Sequence, residues 1–185
     1  SGRDTDPGGL DELTYLLNSG SDRPGALDFQ RSASEYVPRQ PGGATLEQLL
    51  EAAALVEVGK SLPPALDQAL FHGSSLGGAR PKAEIESGDR KYIAKFSSST
   101  DSYDVVKVEY VAMRLAAELG LRVAPVQLKR VAGKNVLLVE RFDRNKAGNG
   151  WTRKAMVSAL TLFELDEMMA RYASYETLSE IIRHR

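Results

Sequence analysis

The chain has 185 residues, of which 42% are hydrophobic and 26% charged, a composition that indicates a soluble globular protein with one sizeable domain or two small ones. Its 24 basic and 25 acidic side chains nearly cancel, which argues against nucleic acid or an anionic membrane as the main partner. The chain has no cysteine and no apolar run near the ~20 residues of a membrane helix, so we expect a cytoplasmic protein without disulfides or thiolate metal sites.

The first third of the chain predicts helices joined by irregular segments. Leucines at helical spacing predict a helix over residues 10–17, and residues 25–29 predict a short strand. Thr45 and Gln48 have the spacing of a capping box, so a helix with an apolar face should begin there. Another helix is expected at 64–70.

The rest of the chain predicts antiparallel strands covered by helices, which is an α+β fold. Four strands are predicted, at 83–86, 91–96, 124–131 and 136–142. The expected turns and loops are 87–89, 133–135 and 147–150. Helices are predicted at 102–119, where Gly120 should end the helix, and at 153–163 and 174–184.

A segment rich in glycine and serine, residues 72–82, lies directly before the first predicted hairpin. It combines hydroxyl groups, positive charge and glycines that permit positive φ, which together suit a phosphate group. These residues are Ser74, Ser75, Gly77, Gly78, Arg80 and Lys82. The alternative is an ordinary polar loop before a hairpin.

Lys95 and Glu109 form the second candidate feature. Alternation places Lys95 on the opposite side of its strand from Tyr92, Ala94 and Phe96, where it is either a solvent-facing lysine or a functional cation. Glu109 lies in the next helix beside Val108, Leu115 and Leu119, so we expect it to be partly buried and to need a cation. The loop, hairpin lysine and helix glutamate then follow the order found in the N-terminal lobe of a protein kinase.

The usual kinase motifs are missing, but the chain resembles the HipA-like serine/threonine kinases of bacterial toxin–antitoxin systems. The segments that carry the resemblance are 22–29 (DRPGALDF), 74–83 (SSLGGARPKA), 92–96 (YIAKF), 139–144 (VERFDR) and 171–175 (RYASY), together with Glu109. The match extends from about residue 10 to the end of the chain.

The resemblance implies an ATP site. Lys95 would contact the α- and β-phosphates with Glu109 as its ion-pair partner, and the loop with Ser75, Gly77 and Gly78 would cover the nucleotide. The carbonyl of Glu140 and the amide of Phe142 would bind adenine, although Phe142 could instead simply enter the core. The resemblance also implies autophosphorylation at Ser75, with Ser74 as the alternative, which would expel the loop by charge.

The resemblance further implies three regions: a small N-terminal subdomain (1–65), a kinase-like N-terminal lobe (66–150) and the helical start of the part after the hinge (151–185). The catalytic base and the Mg²⁺ ligands would belong to a C-terminal lobe that is missing here, so we assign neither to this chain. Because the sequence starts at Ser1, with no methionine before Met113, we expect a piece of a longer protein without phosphoryl-transfer activity of its own.

By the same resemblance, the partners would be a helix-turn-helix antitoxin, through which DNA is contacted indirectly, and a protein substrate such as an aminoacyl-tRNA synthetase. No membrane partner is expected. Two alternatives stay open: a non-catalytic kinase-like binding module or split-kinase subunit, and an unrelated α+β phosphate-binding or structural protein in which the Gly-rich segment is only a turn.

Overall fold

The computed structural model describes residues 11–39, 44–64, 66–67, 70 and 80–184. The described helices and strands confirm the α+β class. In chain order they are α1 (Glu12–Asn18), α2 (Leu46–Glu57), β1 (Lys82–Ser87), β2 (Arg90–Phe96), α3 (Val105–Glu118), β3 (Val126–Val131), β4 (Lys134–Glu140), β5 (Arg144–Ala147), β6 (Gly150–Arg153), α4 (Ala159–Phe163), a 3-10 helix (Glu167–Tyr172) and α5 (Tyr175–Arg183). The helix predicted at 64–70 lies partly outside the described residues.

Four strands form an antiparallel sheet in the order β1-β2-β4-β3. Two tight turns set its register. Gly88, with φ +63°, lies between β1 and β2, and Ala132 (φ +46°) and Gly133 (φ +80°) join β3 to β4. Positive φ at both central residues gives a turn whose twist matches that of the flanking strands. The turn predicted at 133–135 is therefore misplaced, because β4 already begins at Lys134.

Helix α2 covers one face of the sheet. The predicted capping box is present: the Gln48 amide donates to the Thr45 hydroxyl, and the Thr45 amide donates to the Gln48 side chain. The core between helix and sheet consists of Leu49, Leu50, Ala53, Ala83, Tyr92, Ala94, Phe96, Val131, Val136 and Leu138. This core extends across residue 65, where a domain boundary was expected; the domain boundaries themselves stay a prediction.

Helix α3 covers the opposite face of the sheet, against β3 and β4. Asp104 caps its first turn by accepting a hydrogen bond from the Lys107 amide at 3.0 Å, so the helix begins at Val105 and not at 102 as predicted. Gly120, with φ +81°, follows its end as expected. Val106 and Leu137 are fully buried on this side of the sheet.

The segment between α1 and α2 contains no strand at 25–29, so that prediction is wrong. Its backbone groups bond to side chains instead of a neighbouring strand. The guanidinium of Arg39 donates to the carbonyl oxygens of Phe29 at 2.7 Å and Ser19 at 2.8 Å, and it forms an ion pair with Asp28. Arg39 thus links three separate parts of this irregular segment.

The chain after the sheet also differs from the prediction. Strands β5 and β6 form a separate antiparallel hairpin. The loop expected at 147–150 is shorter than predicted, because residues 147 and 150 belong to the strands and only 148–149 form the turn. Helix α4 begins only after Ser158, whose side chain caps it, so a helix over the whole of 153–163 is wrong. Helix α5 confirms the prediction at 174–184. None of the described helices is long and apolar enough to cross a membrane.

Candidate functional site

Lys95 and Glu109 form the ion pair that the sequence predicted. In β2 the side chains of Tyr92, Ala94 and Phe96 point into the α2 core, so Lys95 projects from the other face, towards α3. Its Nζ donates a hydrogen bond to Oε1 of Glu109 at 2.5 Å. About a third of each side chain is exposed, so solvent and a ligand can both reach the pair.

Glu109 points inward for a different reason from the one that the sequence suggested. We expected it to lie beside an apolar row formed by Val108, Leu115 and Leu119, but these three side chains are 53%, 58% and 80% exposed. Val106 is the buried residue of α3, and Glu109 follows it on the same helix face three positions later. The carboxylate therefore points inward because of the register of the helix, while the predicted apolar row faces solvent.

Lys82 is a second cation at this place, and sequence reasoning had treated it only as part of the Gly-rich segment. Its Cα pairs with that of Lys95 across the β1–β2 ladder, so both side chains project from the same face of the sheet. Lys82 is 8% exposed, and burial, followed by the charge of Lys95, lowers its pKa below the ordinary value. A two-residue turn at 88–89 pairs residue 87 with residue 90, and this register places Lys82 opposite Lys95, so the pairing could have been predicted from the turn length.

Ser74, Ser75, Gly77 and Gly78 of the Gly-rich segment lie outside the described residues. Its last part is anchored. Arg80 forms an ion pair with Asp101 at 2.8 Å, and Asp101 also accepts a hydrogen bond from the Ser98 amide. The Ser98 hydrogen bond and the Arg80 charge hold the pKa of Asp101 below its usual value, against a smaller opposing effect of burial.

Glu140 and Phe142, the predicted adenine contacts, lie where the sheet ends. The Glu140 amide donates to the carbonyl of Pro125, and its side chain pairs with Arg90. Phe142 is 61% exposed, so the alternative in which it enters the core is wrong. No described residue accepts a hydrogen bond from the Phe142 amide. A free amide at this point suits an acceptor on a ligand.

Between these two residues, Arg141 belongs to a buried cluster that sequence reasoning missed. We call it the arginine network, and it consists of Asp22, Glu84, Lys91, Arg141, Asp143 and Arg144. The guanidinium groups of Arg141 and Arg144 are 1% exposed. Arg141 also donates to the carbonyl oxygens of Asp22 and Arg23, and Arg144 to that of Gly25.

The arginine network joins two of the segments that carried the resemblance, 22–29 and 139–144. Burial alone would raise the pKa of Asp22 and Asp143. The hydrogen bond from Lys91 and the charge of Arg141 outweigh this effect of burial at Asp22. At Asp143, the hydrogen bonds from Arg141 and from the Gly25 amide outweigh it. The pKa of each carboxylate therefore lies below its usual value. Segments 22–24 (DRP) and 140–144 (ERFDR) both contain acidic and basic residues close together. This pattern could have predicted that the two segments pair, because charged groups that become buried need a partner of opposite charge.

The described residues contain no group of three or more histidine, aspartate or glutamate side chains that could hold a metal ion. Lys82, Lys95 and the Phe142 amide are hydrogen-bond donors, and they match the oxygen atoms of phosphate and the acceptor nitrogens of a base. The arrangement therefore fits a nucleotide, and the described residues include no metal cluster.

Comparison with known proteins gives three findings. A family model described as HipA-like C-terminal domain matches residues 74–185. A protein of Sinorhizobium fredii named "Putative kinase Y4mE" is 30% identical over an alignment of 157 residues that covers 75% of this chain and 36% of that protein. The fold is similar, with a TM-score of 0.58, to HipA of Shewanella oneidensis MR-1 from a toxin–antitoxin complex of HipA, HipB and operator DNA, at 21% identity over 87% of this chain and 40% of that one. The chain thus spans less than half the length of either relative.

Proposed function

Because the chain belongs to the HipA-like C-terminal domain family, we propose that it contains the nucleotide-binding part of an ATP-dependent serine/threonine kinase. One observation carries this proposal: Lys95 and Glu109 form a 2.5 Å ion pair between a sheet and its covering helix. In protein kinases a strand lysine held by a helix glutamate binds the nucleotide phosphates. The pair is also accessible, as a binding role requires.

The neighbouring residues have matching roles. Lys82 would share the phosphate charge with Lys95, since their Cα atoms pair across β1 and β2 and both side chains project from the same face of the sheet. The Glu140 carbonyl and the Phe142 amide, which has no acceptor among the described residues, would bind the adenine edge, and Arg141 between them would hold them in place. Ser75, with Gly77 and Gly78, would cover the phosphates, and Ser75 or Ser74 would be the autophosphorylation site.

Mg²⁺ would accompany ATP and neutralise its phosphate oxygens, and we assign neither its ligands nor the catalytic base to a described residue. The Shewanella relative was solved with HipB and operator DNA. By analogy, the parent of this chain would act as the toxin of such a pair, with an antitoxin partner that contacts DNA. Its substrate would be a translation-related protein such as an aminoacyl-tRNA synthetase.

Calorimetric titration of Mg-ATP into the 185-residue chain tests the nucleotide site. Replacing Lys95 with Met removes a charge-assisted bond to phosphate, so we expect at least about tenfold weaker binding, and Glu109→Gln should weaken it less. Glu118→Gln is the matched control, because Glu118 lies on the same helix, exposed and paired with Arg114. Equal affinity of the Lys95→Met variant and the unchanged chain would contradict the proposal.

A further inference from the structure

A second polar site lies at the other end of β2. A groove of about 310 Å³ opens between the 21–22 turn, the β1–β2 hairpin and the β5–β6 hairpin. We call it the Trp151 groove; the lining residues that matter here are Asp22, Glu86, Lys91, Arg144, Trp151 and Arg153. Lys91 lies four residues before Lys95 on the strand, which corresponds to about 13 Å. The groove is therefore separate from the proposed phosphate site.

The carboxylates of the groove are already engaged. Asp22 accepts from Lys91 and Arg144 and also faces Arg141, and these cations belong to the buried arginine network. Glu86 faces the ammonium groups of Lys91 at 3.7 Å and Lys146 at 3.5 Å. Neither acid is thus left over to neutralise a further cation in the groove.

Hydrogen-bond donors, in contrast, are in excess. Among the described residues, none accepts from the guanidinium of Arg153, the side-chain amide of Asn149 or the indole N–H of Trp151. The ammonium groups of Lys91 and Lys146 also lie 5.3 and 4.6 Å from the centre of the Trp151 ring, which keeps positive charge over the half-buried indole. Donors without an acceptor among the described residues, together with positive charge and an aromatic wall, match the acceptor oxygens of an anion.

We propose that the Trp151 groove binds an oxyanion, a carboxylate or phosphate group, through the Arg153 guanidinium, the Asn149 amide and the Trp151 indole N–H. The ligand contacts Arg153 as a charge-assisted pair, and the indole N–H and the amide complete its coordination. Its source is either a free anion or an acidic peptide segment, since a carboxylate and a phosphate present the same oxygen acceptors. This site is independent of nucleotide binding.

Trp151 is the sole tryptophan of the chain, so its indole N–H gives a single NMR resonance that reports on the groove. We would titrate the 185-residue chain with inorganic phosphate and, separately, with a short capped peptide of alternating glutamate and alanine. Saturable movement of the indole resonance with either probe supports the site, and the probe that saturates at the lower concentration identifies the source. Matched additions of potassium chloride correct for ionic strength.

The variant Arg153→Gln should weaken binding of the better probe about tenfold, because it removes the charged donor. Arg122→Gln, at an exposed arginine that does not line the groove, should leave binding unchanged. Three results would overturn the proposal. Potassium chloride alone could reproduce the whole shift, neither probe could reach saturation, or the Arg153→Gln variant could bind the better probe as tightly as the unchanged chain.

Discussion

Asp143 should be one of the most important polar side chains for stability. Its Oδ1 accepts from Arg141 at 3.0 Å, and its Oδ2 accepts from Arg141 and Arg144 at 2.8 Å each and from the Gly25 amide at 2.9 Å. In the variant Asp143→Asn, an NH₂ group replaces one of these acceptors and faces donors only. Two guanidinium groups that are 1% exposed would then lack a full counter-charge.

Breaking a buried ion pair by removing one partner costs about 3–5 kcal/mol. For a chain of this length, such a loss lowers the melting temperature by about 6–20 °C. Urea unfolding at pH 7, followed by circular dichroism, measures the change. Glu118→Gln is the control, because its exposed pair with Arg114 should contribute less than about 0.5 kcal/mol. A loss below about 1 kcal/mol for Asp143→Asn would refute the reasoning.

The pH dependence gives a second test of the same side chain. The pKa of Asp143 is lowered on folding, since the Arg141 hydrogen bond, the Gly25 amide and the guanidinium charges outweigh burial. Its contribution is therefore complete above the unfolded pKa of about 3.9 and is lost as the pH falls through the lower folded value. The stability difference between the unchanged chain and Asp143→Asn should be constant from pH 7 to about pH 5 and shrink below about pH 4. A constant difference down to pH 2 would contradict the assignment.

Two further predictions concern the backbone. Gly25→Ala should destabilise the protein by about 1–3 kcal/mol in urea unfolding, because Gly25 has φ +82° and an added Cβ would lie 3.3 Å from Cβ of Met156. Gly120→Ala is the control and should cost less, since Gly120 has a similar φ of +81° but open space around it. Equal losses of stability would exclude the Met156 contact as a cause. Thr45→Ala should lose about 1 kcal/mol of stability, since the capping box of α2 is lost, whereas Thr45→Ser should retain it; equal melting temperatures of both variants would contradict this.

The candidate site was predictable where a single strand or helix determines the direction of a side chain. Alternation along β2 placed Lys95 opposite Tyr92, Ala94 and Phe96, and the next helix supplied Glu109. The capping box at Thr45 and the end of α3 at Gly120 were likewise local features that the structure confirms. The roles of Ser74, Ser75, Gly77 and Gly78 stay predictions, because these residues lie outside the described part of the chain.

What only the tertiary structure decided involves residues far apart in the chain. Arg141 and Arg144 meet segment 22–25 across 118 to 122 positions, and that pairing replaces the strand predicted at 25–29. The exposure of Val108, Leu115 and Leu119 was also decided by how α3 docks on the sheet, since helical periodicity defines apolar faces without stating which one is covered. The sequence alone thus determined the four strands of the main sheet, helices α2, α3 and α5, and the Lys95–Glu109 pair, because short-range backbone preferences and periodicity act within a few residues. The partners of buried charges depended on the folded chain, since burial compels such charges to pair but does not specify with which distant residue.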